Sequence, residues 1–337
     1  MKPRATPQNS LLGARSHEIK SPAGVMPALV AGIHVFLADF HEKKTWMAGT
    51  SPAMTAEKPL RLRKLWLCAD DYGISPAVNR AIRDLIGRGR INATSVMVTT
   101  PSFSAAEAQA LADLAGPNRR PAIGLHFTLT APFRPSAPAY RPVARDGAFL
   151  SLSGTFAAGL RWRLDPDALA AEAASQFAAF QAAFGRPPDF VDGHQHIHLL
   201  PQVSDAVLAA IKRTAPGAWI RQCGRTMPLW RRFGDRKGLV LDLLSARLRR
   251  RSAASGVPTN PAFAGTYDFT RATAFDALFG SFLDGLPDAG LVMCHPGFID
   301  AELQRLDVFT TMREQEHAFF AGKQFPALLA AHGIELA

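Results

Sequence analysis

KLWLCADDYGISPAVNRAI, residues 64–82, joins a short apolar run to two adjacent aspartates and then to a helix signal. Lys64 to Ala69 reads as a buried strand. Ser75 can cap the helix that follows, Pro76 suits its first position, and Val78, Ile82, Leu85 and Ile86 form its apolar stripe. An unpaired carboxylate is costly to bury, and neighbouring carboxylates repel each other as well. A strand that ends on Asp70 and Asp71 therefore makes a turn, for which Asp-Asp-x-Gly is suited, or it ends beside something positive.

The same strand-then-helix rhythm continues outward. ATSVMVTT, AIGLHFTL, DFVDGHQHIHLLP, AWIRQCG and GLVMCHPG read as further strands, and helical patterns stand between most of them. Alternation of this kind implies a parallel sheet. A Rossmann-type doubly wound sheet with a dinucleotide site would carry three glycines after the first strand, but DDYGISPAVN has a single glycine there. The polar residues favour a barrel instead. Asp70 and Asp71, His126, Asp192 with His194, His196 and His198, and His295 all fall at strand ends, and a β/α barrel gathers the C-terminal ends of its strands on one face. The expected fold is thus α/β, a distorted (β/α) barrel-like single domain with its active site at the C-terminal strand ends.

Residues 1–58 show no sustained period and read as a disordered or non-core leader, with Met54 an alternative start. Residues 59–337 form the expected domain, with 225–270 as a basic cap or insertion. The 337 residues carry a formal charge of +10, much of it concentrated in residues 225–251, where Arg225, Arg231, Arg232, Arg236, Lys237, Arg247, Arg249, Arg250 and Arg251 face only two aspartates. With only three tyrosines and no aromatic-rich basic repeat, this stretch makes a poor nucleic-acid platform and a better solvated face or membrane contact. Cys68, Cys223 and Cys294 lack metal-ligand spacing and sit in apolar runs, which suggests buried free thiols in the cytoplasm. Residues 25–38 are apolar but too short to span a bilayer, and ADFHEKK after them is a poor cleavage region.

Carboxylates and imidazoles converging on one face suit a divalent metal with open positions. One aspartate of the pair would bind the ion and the other would act as a base on water. HQHIH strengthens this reading, because alternate positions on an extended strand would put all three imidazoles on one face. His17, His34, His41, His317 and His332 lie outside these runs and read as structural or solvent-facing.

Several motifs taken in order, LCADDYGISPAVNRAI, GLHFTLT, RDGAF, VDGHQHIHLLP, VMCHPGFID and LDVFTTMREQE, resemble those of the YdjC-like carbohydrate deacetylases. That family includes chitooligosaccharide and hopanoid-pathway enzymes. The resemblance runs from about residue 64 to the C-terminus and leaves out the leader. It implies a barrel-like fold and metal-dependent hydrolysis of an N-acetyl group from an amino sugar. Residue by residue, it implies Asp71, His126 and His194 as metal ligands, Asp70 as the base, and His295 as the acid or oxyanion partner. His198 and Tyr72 are expected to line the substrate pocket, and His196 to support the site from behind. The cofactor would be one divalent ion, magnesium or zinc, with manganese, cobalt or nickel also suited to mixed oxygen and nitrogen donors. The partners expected are the N-acetylated sugar, a membrane surface touched peripherally through residues 225–251, and a second subunit. A phosphoester hydrolase and a non-catalytic basic metal-binding protein are the rival readings.

Overall fold

The computed structural model describes residues 61–117, 120–225, 236–268, 274–307 and 310–337. The expected leader lies outside these residues, as do positions 226–235 of the basic stretch.

The expected strand–helix unit forms at the start of the domain. Strand β1 (Arg63–Tyr72) runs into α1 (Pro76–Gly87), whose first turn is capped by the Ser75 side chain accepting from the Val78 amide. The predicted stripe of Val78, Ile82, Leu85 and Ile86 is buried. Then follow β2 (Ala93–Val96), α2 (Ala105–Ala112), β3 (Ala122–Phe127), α3 (Leu152–Leu160), α4 (Pro166–Phe184), β4 (Phe190–Gly193), α5 (Pro201–Thr214) and β5 (Trp219–Ile220). After α6 (Arg236–Ser255) come β6 (Phe263–Ala264), α7 (Phe275–Leu283), β7 (Gly290–Cys294), α8 (Ala301–Leu306), α9 (Thr311–Ala321), α10 (Gln324–Ala331) and β8 (Ile334–Leu336).

The strands pair in the order β5-β4-β3-β2-β1-β7-β6, with β8 beside the start of β1, and the pairings are parallel. The two outer strands then meet. Ile220 bridges Thr259, and Arg225 bridges Phe263. Between those bridges the Asn260 side chain accepts from the Gln222 amide (2.8 Å) and donates to the Gln222 carbonyl (3.1 Å), so an amide side chain replaces a missing stretch of ladder. A barrel closed by isolated bridges and one asparagine is distorted in the expected sense. No helix among the described residues is long and apolar enough to cross a membrane.

Three parts of the sequence reading change. GLVMC is the seventh strand in chain order, because β6 precedes it with two residues, too few to show a period. Residues 152–160, to which the sequence reading gives no element, form α3 with Ser151 as its cap. HQHIH is not a strand. Beyond Gly193 the chain turns into a 3-10 segment, His194–Leu199, in which Gln195 (φ 54°) and His196 (φ 58°) are left-handed. The three imidazoles therefore do not share a face. Gly193 allows the turn, since a Cβ there would lie 2.8 Å from His198 Nδ1.

Candidate active site

Parallel strands bring the C-terminal ends of β1, β3, β4 and β7 to one rim. A cavity of about 160 Å³ lies there, lined among others by Asp70, Asp71, His126, His194, His196 and His295. Asp70 and Asp71, adjacent in sequence, stand in two separate clusters.

Asp71 has left-handed backbone (φ 68°), and such strain in a residue other than glycine is a feature of functional sites. Its Oδ1 lies 3.2 Å from His126 Nε2 and 3.0 Å from His194 Nδ1, while its Oδ2 accepts from Arg313 at 2.6 Å. Donor atoms of Asp71, His126 and His194 all lie within 4.8 Å of one another, and all three residues are buried. His126 is oriented from behind, its Nδ1 lying 2.6 Å from Asp192 Oδ1 and 2.9 Å from the Ser95 hydroxyl. Phe133 packs its edge on His194 with ring centres 5.4 Å apart. Burial opposes charge on Asp71, but Arg313, His194 and His126 outweigh it and hold the carboxyl well below the usual range. Burial is likewise outweighed at His126, where Asp192, Asp71 and Asp70 push the imidazole up to about 10.

Asp70 belongs to the other cluster, with Cys68 and Asp192, whose donor atoms also lie within 4.8 Å of one another. That cluster already surrounds a cation. The fully buried guanidinium of Arg221, just past β5, donates to both Asp70 oxygens at 2.6 Å and lies 2.5 Å from Asp192 Oδ2 and 3.0 Å from Cys68 Sγ. Against the cost of burial, Arg221 holds Asp70 far below its ordinary value. Two adjacent carboxylates can thus be buried because Arg221 answers one and Arg313, with the imidazoles, answers the other.

A mixed set of one carboxylate oxygen and two imidazole nitrogens, with a carboxylate orienting one imidazole, has the chemistry of a divalent-metal site with open positions. The residues present fit such an ion. Beside them on the cavity wall stand Asp70 and His295. Burial lowers His295, against Asp71 and Asp70, so it is neutral near pH 7.

The other residues named from sequence lie elsewhere. Tyr72 is buried and turned to α2, its hydroxyl donating to Glu107 at 2.8 Å and accepting from Arg83 at 2.9 Å, which corrects its expected place in the pocket. His198 is also fully buried and absent from the cavity wall, because the 3-10 turn carries its Nε2 to the Arg221 carbonyl at 2.8 Å. His196, expected behind the site, is on the wall, with its Nδ1 3.6 Å from Cys223 Sγ. The three cysteines are free and buried, as expected. Sequence reasoning missed Arg221, Arg313 and Glu316. Arg221 left one signal, a charged residue inside the apolar run AWIRQC.

A chitooligosaccharide deacetylase of Yersinia pestis (strain Pestoides F) is 27% identical over 244 residues, 70% of this chain and 82% of that protein. The chitooligosaccharide deacetylase of Yersinia enterocolitica serotype O:8 is 27% identical over 241 residues, covering 69% and 81%. An Enterococcus faecalis V583 crystal structure, of a protein assigned to cellobiose-phosphate cleavage, superposes with a TM-score of 0.60. It is 23% identical and covers 82% of this chain and 97% of its own, which establishes the shared fold. The YdjC-like protein family matches residues 64–331, and the chain belongs to that family.

Proposed function

We propose that the protein is a carbohydrate N-deacetylase that hydrolyses an N-acetyl group on an amino sugar of the chitooligosaccharide or lipid-linked type. The observation that carries this reading is the buried Asp71, His126 and His194 cluster, with Asp70 and His295 beside it on one cavity wall, in a YdjC-like chain. The curated relatives named above are chitooligosaccharide deacetylases.

Asp71, His126 and His194 would hold one divalent ion, which would polarise the acetyl carbonyl and acidify water. Asp70 is ionised at any working pH and takes the proton of the attacking water. Arg221, by gripping both its oxygens, keeps Asp70 charged and aimed. His295, neutral at the outset, would donate a hydrogen bond to the developing oxyanion or relay to the leaving amine the proton that Asp70 has taken from water. Bond cleavage needs no serine or cysteine. Burial pushes the thiols of Cys68, Cys223 and Cys294 up, which leaves them inert.

Two observations weigh against the rivals. A two-metal phosphoester hydrolase needs a second cation site, and the second donor cluster already encloses Arg221. A histidine store would recruit His196 and His198, which are not among the donor atoms that converge with Asp71. For a lipid-linked substrate, α6 offers exposed Val240 and Leu243 beside exposed Arg249 and Arg250. The test is to supply N-acetylated oligosaccharides and lipid-linked sugars with each divalent ion in turn and measure released acetate. Absence of acetate from every pair would overturn the reading.

A further inference from the structure

The segment His295, Pro296 and Gly297 follows β7 and carries His295 to the cavity. Pro296 has no amide hydrogen, so this segment has two backbone donors, and both go to α9. The His295 amide donates to Glu316 Oε2 at 2.5 Å, and the Gly297 amide donates to the Arg313 carbonyl at 3.0 Å. The other Glu316 oxygen accepts from the Tyr267 hydroxyl at 2.5 Å. Glu316 is fully buried, which is costly for a carboxyl unless its acceptors are used. Three residues earlier on the same helix, Arg313 grips Asp71. Both side chains come from LDVFTTMREQE, a stretch to which the sequence reading assigned no role.

We propose that Glu316 is the positioning residue of His295: suspended from Tyr267, its carboxylate fixes the His295 backbone and so aims the imidazole into the cavity. This rests on the deacetylase reading and extends it to a residue at the cavity wall that acts through the His295 backbone. A misplacement of about 1 Å at a reacting group costs roughly 10²-fold in rate, so the anchor matters although it does no chemistry itself. Around Glu316 stand Tyr267, the His295 backbone, Cys294, Arg313 on its own helix, and Asp70. Burial raises the carboxyl to about 7, against the Tyr267 and His295 hydrogen bonds. Protonation therefore weakens the anchor below about pH 7.

The experiment compares wild type, Glu316→Gln and Tyr267→Phe, each loaded with the metal ion that supports wild-type turnover. Glutamine keeps the size but cannot accept from both donors as a carboxylate does. Glu316→Gln should lower kcat by about 10- to 10²-fold, with KM and metal affinity within about twofold of wild type. Tyr267→Phe removes a donor to the charged form, so the acid limb of kcat should move to higher pH, and that limb should be absent in Glu316→Gln. Independently of turnover, the His295 signals of histidine-labelled ion-free protein should shift in Glu316→Gln, while those of His126 stay in place. Wild-type kcat in Glu316→Gln, or unmoved His295 signals, would overturn the proposal. A fall in kcat accompanied by an equal fall in metal affinity would also overturn it, by showing a general loss of structure. If Glu316→Gln does not fold, the Tyr267→Phe acid limb decides. A wild type that releases no acetate overturns the deacetylase reading instead, and the His295 signals then test the anchor alone.

Discussion

Asp70 and Asp71 are consecutive on β1, yet each heads its own buried three-donor cluster. The Asp70 cluster adds Cys68 and Asp192, the Asp71 cluster adds His126 and His194, and each keeps its donor atoms within 4.8 Å of one another. On donor count alone either could hold a cation. The first has the chain's own cation inside it, since Arg221 reaches all three members. In the second, Arg313 takes one oxygen of Asp71 from the side and leaves Oδ1 and two imidazole nitrogens converging at the cavity. The difference separates a charge neutralised from within from one kept for a guest. Asp192 joins the two, one oxygen lying 2.5 Å from the Arg221 guanidinium as an ion pair and the other facing His126.

The largest effect should come from emptying the open side. His126→Ala removes a donor, so metal binding and turnover should be lost together, as read by metal content and acetate release on one preparation. A His126→Ala protein with a full complement of ion would dissolve the distinction between the clusters. On the closed side, Arg221→Met leaves Asp70 and Asp192 buried without their cation. Breaking a buried pair by removing one partner costs about 3–5 kcal/mol, and denaturant unfolding should show it. Added zinc should restore more stability to Arg221→Met than to wild type, because the vacated cluster then offers two carboxylates and a thiol.

Asp70→Asn tests whether the closed cluster also does chemistry. The substitution keeps size and spares the Asp71 cluster, so metal content should hold while acetate release falls by about 10²–10⁴, the usual worth of a general base. Loss of the ion in this variant would make Asp70 a ligand and reopen the assignment of Asp71. Turnover close to wild type would leave Asp70 as nothing more than Arg221's counter-ion.

How far these clusters can be read from sequence depends on the kind of signal each residue leaves. Asp70, Asp71, His126 and His295 stand out because polar residues closing apolar runs are conspicuous, and parallel strands send such ends to one rim. Arg221 follows β5, of which only Trp219 and Ile220 pair regularly, and a partner 151 positions away leaves no local periodicity. Arg313 and Glu316 lie on a helix whose other positions mask their burial. HQHIH misleads for a different reason. Alternation implies a shared face only while the backbone stays extended, and two left-handed residues after Gly193 end that condition. The short β6 and the β5–β6 closure through Asn260 are equally silent, because side-chain amides standing in for a ladder follow no pattern.

Two histidines of HQHIH, His194 and His198, end up beside different clusters, and this gives the smallest of the expected effects. His194 serves the open side. His198 serves the closed one, with its ring against the Arg221 carbonyl. Burial, aided by His196 and Arg221, outweighs that hydrogen bond and pushes His198 down to about 3, whereas an unfolded histidine titrates near 6.5. Between those values the unfolded chain binds a proton that the folded chain refuses. Stability is therefore present above about pH 6.5 and drains away as pH falls toward 3, and one such group costs about 2 kcal/mol between pH 7 and pH 5. His198→Gln keeps a donor for the Arg221 carbonyl but cannot titrate. Unfolding in denaturant, with chelator present so that ion release does not intrude, should show the variant losing about 2 kcal/mol less than wild type over that interval. His196, held at about 3 chiefly by burial, still titrates in both proteins and cancels from the difference. If wild type and His198→Gln lose the same stability on acidification, His198 accepts its proton in the folded state. The closed side would then be open to water, and the contrast between the two clusters would narrow to the presence of Arg221 alone.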